Sequence, residues 1–298
     1  MPDARPVVGF IGLGAMGAPM ADRLVQGGEL VVVFNRTTSK GAQFGGRAKI
    51  AATPAEMAEE ADVVFACVTT PDVYREVLLG PNGIIRGGRA KTYVHLGTNE
   101  ACVVAELAAA LKEQGIETVD APITGGVSRA RGGTLTAMAA GPRAAFDHAL
   151  PFMKHYASKV VYMGERVGAA QVMKFVNNVL SASNLALACE AMVLGRKSGL
   201  DPKAMLEVLN TGSGQNSATL TKIPAQILTR RFDHGGGLAM MLKDLEAFRG
   251  EASLQDVQIP LTEAVIASLR AAMEVEGGDA DITRIICPME RAAGVVVS

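Results

Sequence analysis

The chain has 298 residues, of which 49% are hydrophobic and 20% are charged. This length and composition predict about two domains with hydrophobic cores and exclude a disordered chain. The formal net charge is −1 and no long run of one sign occurs, so nothing indicates binding to nucleic acid or to an anionic membrane surface. The cysteines Cys67, Cys102, Cys189 and Cys287 lie far apart, and we expect them to be reduced thiols of a cytoplasmic protein.

The first half of the chain alternates short β-rich runs with helical stretches. The predicted strands are Val7–Ile11, Leu30–Phe34, Asp62–Cys67, Thr92–Leu96, Glu117–Val119, Leu135–Ala139 and Val160–Met163. The predicted helices between them cover residues 15–27, 54–60, 72–79, 99–114 and 142–153. Such alternation predicts parallel strands joined by crossover helices, that is, an α/β doubly wound sheet.

Strand signals nearly vanish after Gly168, where a long helical stretch covers residues 168–197. Asp201-Pro202 then predicts the cap and first turn of another helix. Further predicted helices cover about 216–229, 238–254, 259–276 and 281–293. We therefore predict an α/β domain over residues 1–165 and an all-α domain over 166–298, joined by the long helix.

The long helical stretch is apolar enough to raise the question of a membrane span. Its polar side chains would be costly in lipid; they are Asn177, Asn178, Ser181, Ser183, Asn184 and Glu190. A helix buried inside protein therefore explains the stretch better, and we expect no membrane association.

Three glycines, Gly12, Gly14 and Gly17, form G-x-G-x-x-G between the first predicted strand and helix. The first glycine permits a tight turn, the second lets the backbone approach a pyrophosphate, and the third allows close helix–strand packing. The helix N-terminus adds N–H groups and a positive dipole end for the phosphates. The turn predicts a dinucleotide site in a Rossmann sheet, formed by Gly12, Leu13, Gly14, Ala15, Met16 and Gly17.

Asn35, Arg36 and Thr37 follow the second strand, where an acidic residue would bind the ribose of NAD. A carboxylate would repel a 2′-phosphate, whereas a guanidinium and a hydroxyl bind one. The three residues therefore predict NADP as the cofactor, with NAD as the second choice. An ordinary solvated arginine is the alternative reading of Arg36.

The stretch DAPITGG (120–126) follows a predicted strand and lies at the carboxyl edge of the sheet, where doubly wound folds bind ligands. Thr124 and the N–H groups of Gly125 and Gly126 could hold a carboxylate there. A purely structural loop is the alternative.

Lys174 and Asn178 are four residues apart in the long helix and therefore share one of its faces. A lysine in such an apolar stretch is not expected for solubility, and small residues precede it at Gly168, Ala169 and Ala170. The alternative is a snorkelling lysine beside an asparagine bonded inside the core.

Five stretches together resemble the β-hydroxyacid dehydrogenase family over nearly the whole chain. They are GFIGLGAMGAPMA, FNRT, DAPITGG, KFVNN and, at 241–245, MLKDL. The family includes 3-hydroxyisobutyrate dehydrogenases, tartronate semialdehyde reductases and glyoxylate/succinic semialdehyde reductases. The resemblance implies hydride transfer between NADP(H) and a small β-hydroxyacid or its semialdehyde or keto acid.

The resemblance also implies roles for individual residues. Lys174 would be the catalytic general acid and base, and Asn178 would orient the substrate. The substrate carboxylate would bind at Thr124, Gly125 and Gly126. Lys243 and Asp244 would close the site from the helical domain, with Lys243 contacting both substrate and cofactor and Asp244 contacting the cofactor. The cofactor would also be lined by Val68, Thr69 and Thr98.

The chain departs from the family pattern at several positions that bear on substrate identity. It reads HLGTN at 95–99 where the family has an Asp-x-Ser-Thr type of stretch. It has Thr124 where serine is common and Ala170 where glycine is common. The segment RRFDHGGGLAMM also lacks the aromatic residue usual after the glycine.

Other classes fit less well. An imine reductase or a non-catalytic NADP-binding module fused to chromatin readers usually lacks the lysine, and 6-phosphogluconate dehydrogenase has a much longer helical domain. No metal is expected, because His95, His148, His155 and His234 form no ligand cluster. The apolar helical half predicts a homodimer or homotetramer built mainly by residues beyond 168.

Overall fold

The structure, a computed structural model, describes residues 5–298. It divides into two compact units, one that ends at Lys174 and one that runs from Phe175 to Ser298. We call them the α/β unit and the helical unit. The predicted domain boundary at 165/166 lies just before the long helix, whereas this division falls within it. The start of the predicted first domain, residues 1–4, lies outside the described residues.

The main sheet of the α/β unit has six parallel strands in the order β3-β2-β1-β4-β5-β6. They are β1 (Val7–Ile11), β2 (Leu30–Phe34), β3 (Lys49–Ile50), β4 (Val63–Ala66), β5 (Thr92–His95) and β6 (Glu117–Asp120). This order is that of a Rossmann sheet, with the strand order reversing between β1 and β4. The predicted doubly wound sheet is thus confirmed, and the two-residue β3 was too short to predict.

Both faces of this sheet are buried, which explains why its strands read as continuous apolar runs. Val8 and Phe10 pack into one hydrophobic cluster. Ile11 and Val64 pack into the cluster on the opposite face. Six helices contribute to these two clusters: α1 (Gly17–Gln26), α3 (Pro54–Glu60), α4 (Pro71–Leu79), α5 (Ala101–Lys112), α6 (Gly126–Gly132) and α7 (Arg143–Met153). The short helix α2 (Ser39–Ala42) lies between β2 and β3 in the chain.

A second, three-stranded sheet contains β7 (Ile123–Thr124), β8 (Leu135–Ala139) and β9 (Ala157–Tyr162). The sequence pattern alone placed the last two of these runs in the same alternating series as the main sheet. In the structure β7 runs antiparallel to β8, and β8 runs parallel to β9. The chain turns back after β6 at Pro122, whose carbonyl accepts a hydrogen bond from the N–H of Met138 at 3.0 Å.

Helix α8 (Ala169–Lys197) has 29 residues and is the one described helix that is long and apolar enough to cross a membrane, with a mean hydropathy of 1.3. Inside the protein, 56% of its most apolar window is buried. Such burial is typical of a helix packed in a protein core, so its length and composition alone do not indicate a span.

The helical unit continues with α9 (Pro202–Thr211), α10 (Leu238–Leu254), α11 (Pro260–Glu276) and α12 (Ile286–Ala293). The predicted cap at Asp201 is confirmed, because its Oδ2 accepts from the N–H of Ala204 at 2.9 Å and Pro202 begins the helix. The predicted helix at 216–229 is instead π-helical over Ala218–Ile227. The N–H of Leu228, for example, donates to the carbonyl of Ile223, five residues earlier.

Candidate active site

The glycine-rich turn between β1 and α1 has the shape that a dinucleotide requires. Gly12 has a φ of +93°, and a Cβ there would lie 2.3 Å from the carbonyl oxygen of Cys67. A Cβ on Gly17 would lie 1.8 Å from the carbonyl oxygen of Gly12, so only glycine allows this close packing. Around Gly14 a Cβ would meet nothing within 4 Å, which leaves open the side from which phosphates approach. The residues present therefore fit a dinucleotide.

Asn35 has a role that the sequence did not reveal. Its Oδ1 accepts from the N–H of Leu13 at 2.8 Å, and its Nδ2 donates to the carbonyl of Thr37 at 3.0 Å. A single amide thereby ties the glycine-rich turn to the turn that carries Arg36. A carboxylate accepts but does not donate, so it would make only the first of these two bonds. Arg36 and Thr37 are exposed.

The other predicted cofactor residues of the α/β unit follow neighbouring central strands. Val68 and Thr69 come after β4, and Thr98 comes after β5. The N–H of Val68 donates to the hydroxyl of Tyr74 at 3.3 Å, and that hydroxyl donates to the carbonyl of Ala66 at 3.3 Å. All of these positions lie at the carboxyl edge of the sheet, as the glycine-rich turn does, where Rossmann sheets bind ligands.

Asp120, at the end of β6, is completely buried and holds the first turn of α8. Its Oδ2 accepts from the N–H groups of Gly168 at 3.1 Å and Gln171 at 3.2 Å. Its Oδ1 accepts from Nε2 of Gln171 at 2.7 Å. Burial raises the pKa of the Asp120 carboxyl to about 6. One carboxylate thus fixes the start of the helix that carries Lys174.

Gln171 extends this contact into a buried network. Its Nε2 also donates to the carbonyl of Gly97 at 3.0 Å, and its Oε1 accepts from the N–H of Asn99 at 3.0 Å. Oδ1 of Asn99 lies 3.0 Å from Nε2 of His95, and Nδ1 of His95 lies 3.0 Å from the Tyr93 hydroxyl. Burial lowers the pKa of His95 to about 3, so the ring is neutral, with Nε2–H donating to Asn99 and Nδ1 accepting from Tyr93.

Lys174 is half-buried and lies one turn beyond Gln171 in α8. Ala170, in the turn before it, is fully buried beside Met138 and Ala140. This packing, together with the bonds to Asp120, holds the start of the helix in place. The position of Lys174 therefore depends on residues far from it in sequence.

In the helical unit, the structure brings together three of the predicted residues. Nδ2 of Asn178 donates to Oδ2 of Asp244 at 2.6 Å, and Oδ1 of Asn178 accepts from Nδ2 of Asn177 at 3.1 Å. Nζ of Lys243 lies 3.4 Å from Oδ1 of Asp244. That oxygen is buried and has no hydrogen bond, so the lysine contact is an ion pair without hydrogen-bond geometry. Asn178 and Asp244 are buried, whereas Lys243 is partly exposed.

The predicted carboxylate-binding turn lies at the end of β7. Thr124 is half-buried, and Gly125 and Gly126 are exposed. Their φ values of +131° and +73° are in the region that favours glycine, so this backbone path requires both glycines.

Two surface clefts of the α/β unit contain none of the predicted site residues. One lies beside β2 and β3, and the other beside α7 and β9. Both lie away from the carboxyl edge of the main sheet, so the glycine turn and α8 are better guides to chemistry. Within residues 5–298, no group of three His, Cys, Asp or Glu side chains is arranged to hold a metal ion.

Asp120 and Gln171 are the site residues that sequence reasoning missed. Both lie inside stretches that were singled out, directly before APITGG and three residues before Lys174. The only available signal was a polar residue at the end of a strand and another near the start of an apolar helix, which did not reveal that they pair.

Two family models match the chain in succession. Residues 7–164 match the NAD-binding domain of 6-phosphogluconate dehydrogenase. Residues 168–289 match the model described as NAD-binding of NADP-dependent 3-hydroxyisobutyrate dehydrogenase. The α/β unit is therefore an NAD(P)-binding domain.

Similar proteins match most of the chain. The chain is 30% identical to 2-(hydroxymethyl)glutarate dehydrogenase of Eubacterium barkeri, over 98% of this chain and 97% of that one. It is 35% identical to mitochondrial 3-hydroxyisobutyrate dehydrogenase of Mus musculus, over 81% and 74%. The solved structure of Mycobacterium tuberculosis 3-hydroxyisobutyrate dehydrogenase with L-serine superposes with a TM-score of 0.85, at 25% identity and over 96% and 99% of the two chains.

An imine reductase from Myxococcus stipitatus, solved in complex with NADP+, shares the fold at a lower level. Its TM-score is 0.64 at 17% identity, over 94% of this chain and 98% of that one. This likeness shows a common fold and nothing about the reaction.

Proposed function

Since the chain belongs to the β-hydroxyacid dehydrogenase family, we propose that it transfers a hydride between NADP(H) and a small β-hydroxyacid or the corresponding semialdehyde or keto acid. The observation that carries this proposal is the way α8 is held. Asp120 and Gln171 fix the first turn of the helix, and Lys174 follows in the next turn. A catalytic group needs such support, because its geometry must be set before the substrate arrives.

In this proposal Lys174 transfers the proton of the reaction. During reduction it donates a proton to the carbonyl oxygen, and its charge stabilises the alkoxide that develops there. During oxidation it accepts the proton of the hydroxyl group. The nicotinamide, when bound, supplies the hydride chemistry.

Further residues are assigned to substrate binding in this proposal. Asn178 is held by Asn177 and Asp244, so its amide has a defined orientation. In this proposal Thr124, Gly125 and Gly126 bind the substrate carboxylate. The family resemblance supports these roles, and the exposed glycine turn is compatible with them.

NADP is the proposed cofactor in preference to NAD. Arg36 and Thr37 are exposed beside the glycine-rich turn and are tied to it through Asn35. A guanidinium there favours the 2′-phosphate of NADP. No carboxylate occupies residues 35–37, so nothing there would repel that phosphate.

Lys174 also supports the proposal over its alternatives. An imine reductase or a non-catalytic NADP-binding module would not need a lysine at this place in the helix. Lys174 and the buried pair of Asn178 and Asp244 together favour a hydroxyacid dehydrogenase.

The test is turnover of NADPH with a panel of short semialdehydes and keto acids, and of NADP+ with the matching β-hydroxyacids. We expect activity on at least one matched pair in both directions. Activity on cyclic imines with none on the panel would replace the proposal by imine reduction. Cofactor binding without turnover of either class would support the non-catalytic module.

We also propose that the protein is a homodimer or homotetramer assembled through the outer face of α8. Leu180, Leu187 and Leu194 are each separated by seven residues, and their side chains are 59%, 67% and 68% exposed. An aligned stripe of this kind is typical of a helix that packs against a partner. Light scattering should give the mass of an oligomer for the wild type and a lower mass for Leu187→Glu, and a monomeric wild type would refute the assembly.

Cytoplasmic localisation is part of the same proposal. Cys67, Cys102, Cys189 and Cys287 are all free thiols in the structure, which suits a reducing compartment. Fractionation of the source cells would test it.

A further inference from the structure

Lys222 is a buried cation that has no acidic partner among residues 5–298. Only 7% of the residue is exposed, and its Nζ makes one hydrogen bond, to Oγ of Ser181 at 3.1 Å. Among the described residues it belongs to no salt bridge. Burying an ammonium group beside a neutral hydroxyl alone is unfavourable, so the position calls for an explanation.

His234, a titratable group that feels the charge of Lys222, does not supply the missing negative charge. Burial and then the positive charge of Lys222 lower the pKa of His234, which favours a neutral ring. The charge of Asp281 acts in the opposite direction on the pKa of His234, and its carboxylate accepts from the N–H of Gly235 at 2.9 Å and from the N–H of Thr283 at 3.0 Å. Burial also lowers the pKa of Lys222 itself.

The backbone that carries Lys222 is unusual as well. Lys222 lies within the π-helical segment Ala218–Ile227. Such wide turns are rare and occur often at functional sites, where they place a side chain that an α-helix would direct elsewhere. The buried lysine and the π-helical segment are independent features that coincide at one residue.

Ser181 connects Lys222 to the substrate-orienting face of α8. It follows Asn178 by three residues, so both lie on one face of the helix, about 4.5 Å apart along its axis. A substrate that contacts Asn178 and extends along this face in the direction of Ser181 therefore brings its far end towards the Ser181 hydroxyl and Lys222.

We propose that Lys222 and Ser181 bind a second carboxylate of the substrate, so that the enzyme acts on hydroxy or oxo dicarboxylates. The inference rests on the proposed function. One ammonium and one hydroxyl match the charge of a carboxylate, whereas a dianionic phosphate would require more donors.

The experiment compares three substrates that share the reacting CH2OH group and the adjacent carboxylate. They are 2-(hydroxymethyl)glutarate, which has a distal carboxylate, 2-(hydroxymethyl)pentanoate, which has the same carbon chain without it, and 3-hydroxyisobutyrate, which is shorter. Initial rates with NADP+ are measured for wild type, Lys222→Met and Ser181→Ala. Lys203→Met, which changes an exposed lysine of α9, is the matched control.

We expect the wild type to prefer the dicarboxylate. Lys222→Met should raise the KM for 2-(hydroxymethyl)glutarate about 10- to 100-fold, the usual effect of losing a charge-assisted contact. The KM values for the two monocarboxylates should change by less than about 3-fold, because they lack the group that Lys222 binds. Ser181→Ala should shift the same KM in the same direction by a smaller factor, and Lys203→Met should leave all three values unchanged.

The inference is overturned if Lys222→Met changes all three substrates equally, or if the wild type shows no preference for the dicarboxylate. Ser181→Ala provides the same comparison if Lys222→Met does not fold, as judged by circular dichroism and NADP+ binding. A wild type that oxidises none of the three contradicts the proposed function instead. Thermal shifts of the NADP+-bound protein with glutarate and butyrate then decide: stabilisation by glutarate that depends on Lys222 supports the inference, and equal shifts in wild type and variant refute it.

Discussion

The α/β unit and the helical unit each bury a charged side chain, and they treat it in opposite ways. Asp120 is surrounded by donors, with three N–H groups directed at its two oxygens. Lys222 has one neutral acceptor, the hydroxyl of Ser181. Both residues are more than nine-tenths buried, so burial alone does not account for the difference.

The difference indicates what each charge does. A buried charge whose bonds are all made within the protein fixes local structure. A buried charge with unused donors destabilises the folded protein, and the binding of a ligand group of opposite charge would remove that destabilisation. By this reasoning Asp120 acts on the protein itself, as a positioning residue for α8, whereas Lys222 acts on a ligand.

The largest effect should come from Lys174, the residue that Asp120 is inferred to position. Lys174→Ala should reduce kcat by about 10²–10⁴, because both the proton donor and the charge that stabilises the alkoxide are lost. NADP+ affinity should change little, and Lys174→Arg should restore little activity, since an always-charged guanidinium does not exchange a proton near neutral pH.

The measurement pairs turnover with NADPH titration on folded protein. Lys203→Ala is the control, because it removes an exposed lysine of the helical unit. Turnover of Lys174→Ala within a few fold of wild type would show that the lysine is a structural side chain. Asp120 would then position no catalytic group.

Asp120→Ala should destabilise the protein in a pH-dependent manner. It leaves the N–H groups of Gly168 and Gln171 without acceptors, at a cost of about 1–3 kcal/mol at pH 7. The folded pKa of Asp120, about 6, lies above its ordinary value of 3.8. Its contribution to stability is therefore complete below about pH 4 and is lost as the pH rises through about 6, a change of about 3 kcal/mol.

The cost of Asp120→Ala should accordingly be greater at pH 4 than at pH 7. Urea unfolding of both proteins at several pH values measures it, since groups common to both cancel in the difference. A cost that grows as the pH rises would mean that the carboxylate is stabilised by its three donors more than it is penalised by burial.

Arg36 should set cofactor preference by about 10- to 100-fold, the range expected for one charge-assisted contact. Arg36→Asp should erode or reverse a preference for NADPH over NADH, because a carboxylate repels the 2′-phosphate and accepts bonds from the free ribose. Titrations of wild type and variant with both cofactors give the ratio. Equal affinities in the wild type would contradict the NADP assignment.

The smallest change is expected for Lys222→Met in the absence of ligand. Removing a buried cation that has one neutral partner should leave the free energy of unfolding unchanged or raise it by up to about 1 kcal/mol. Its sign is opposite to that expected for Asp120→Ala, and unfolding of both variants in one buffer at pH 7 tests the contrast directly. A loss of more than about 2 kcal/mol would assign Lys222 a structural role.

Local patterns predicted most of the fold. The strands β1, β2 and β8 and the helices α3 and α10 have the predicted bounds, because apolar runs, proline and capping residues act within a few neighbours. Strands β3 and β7 have two residues each, too few to produce a pattern. The three-stranded sheet was also beyond prediction, because an alternating series does not reveal which runs pair.

The sequence by itself determined the dinucleotide turn and the placement of Lys174 and Asn178 on one helix face, because glycine conformation and helix periodicity are local properties. The tertiary structure alone decided the bonds between Asp120 and Gln171, 51 residues apart, and between Lys222 and Ser181, 41 residues apart. It also joined Asn178 to Asp244 across 66 residues. Hydrogen bonds of this range depend on how helices and strands pack, which no short stretch of sequence encodes.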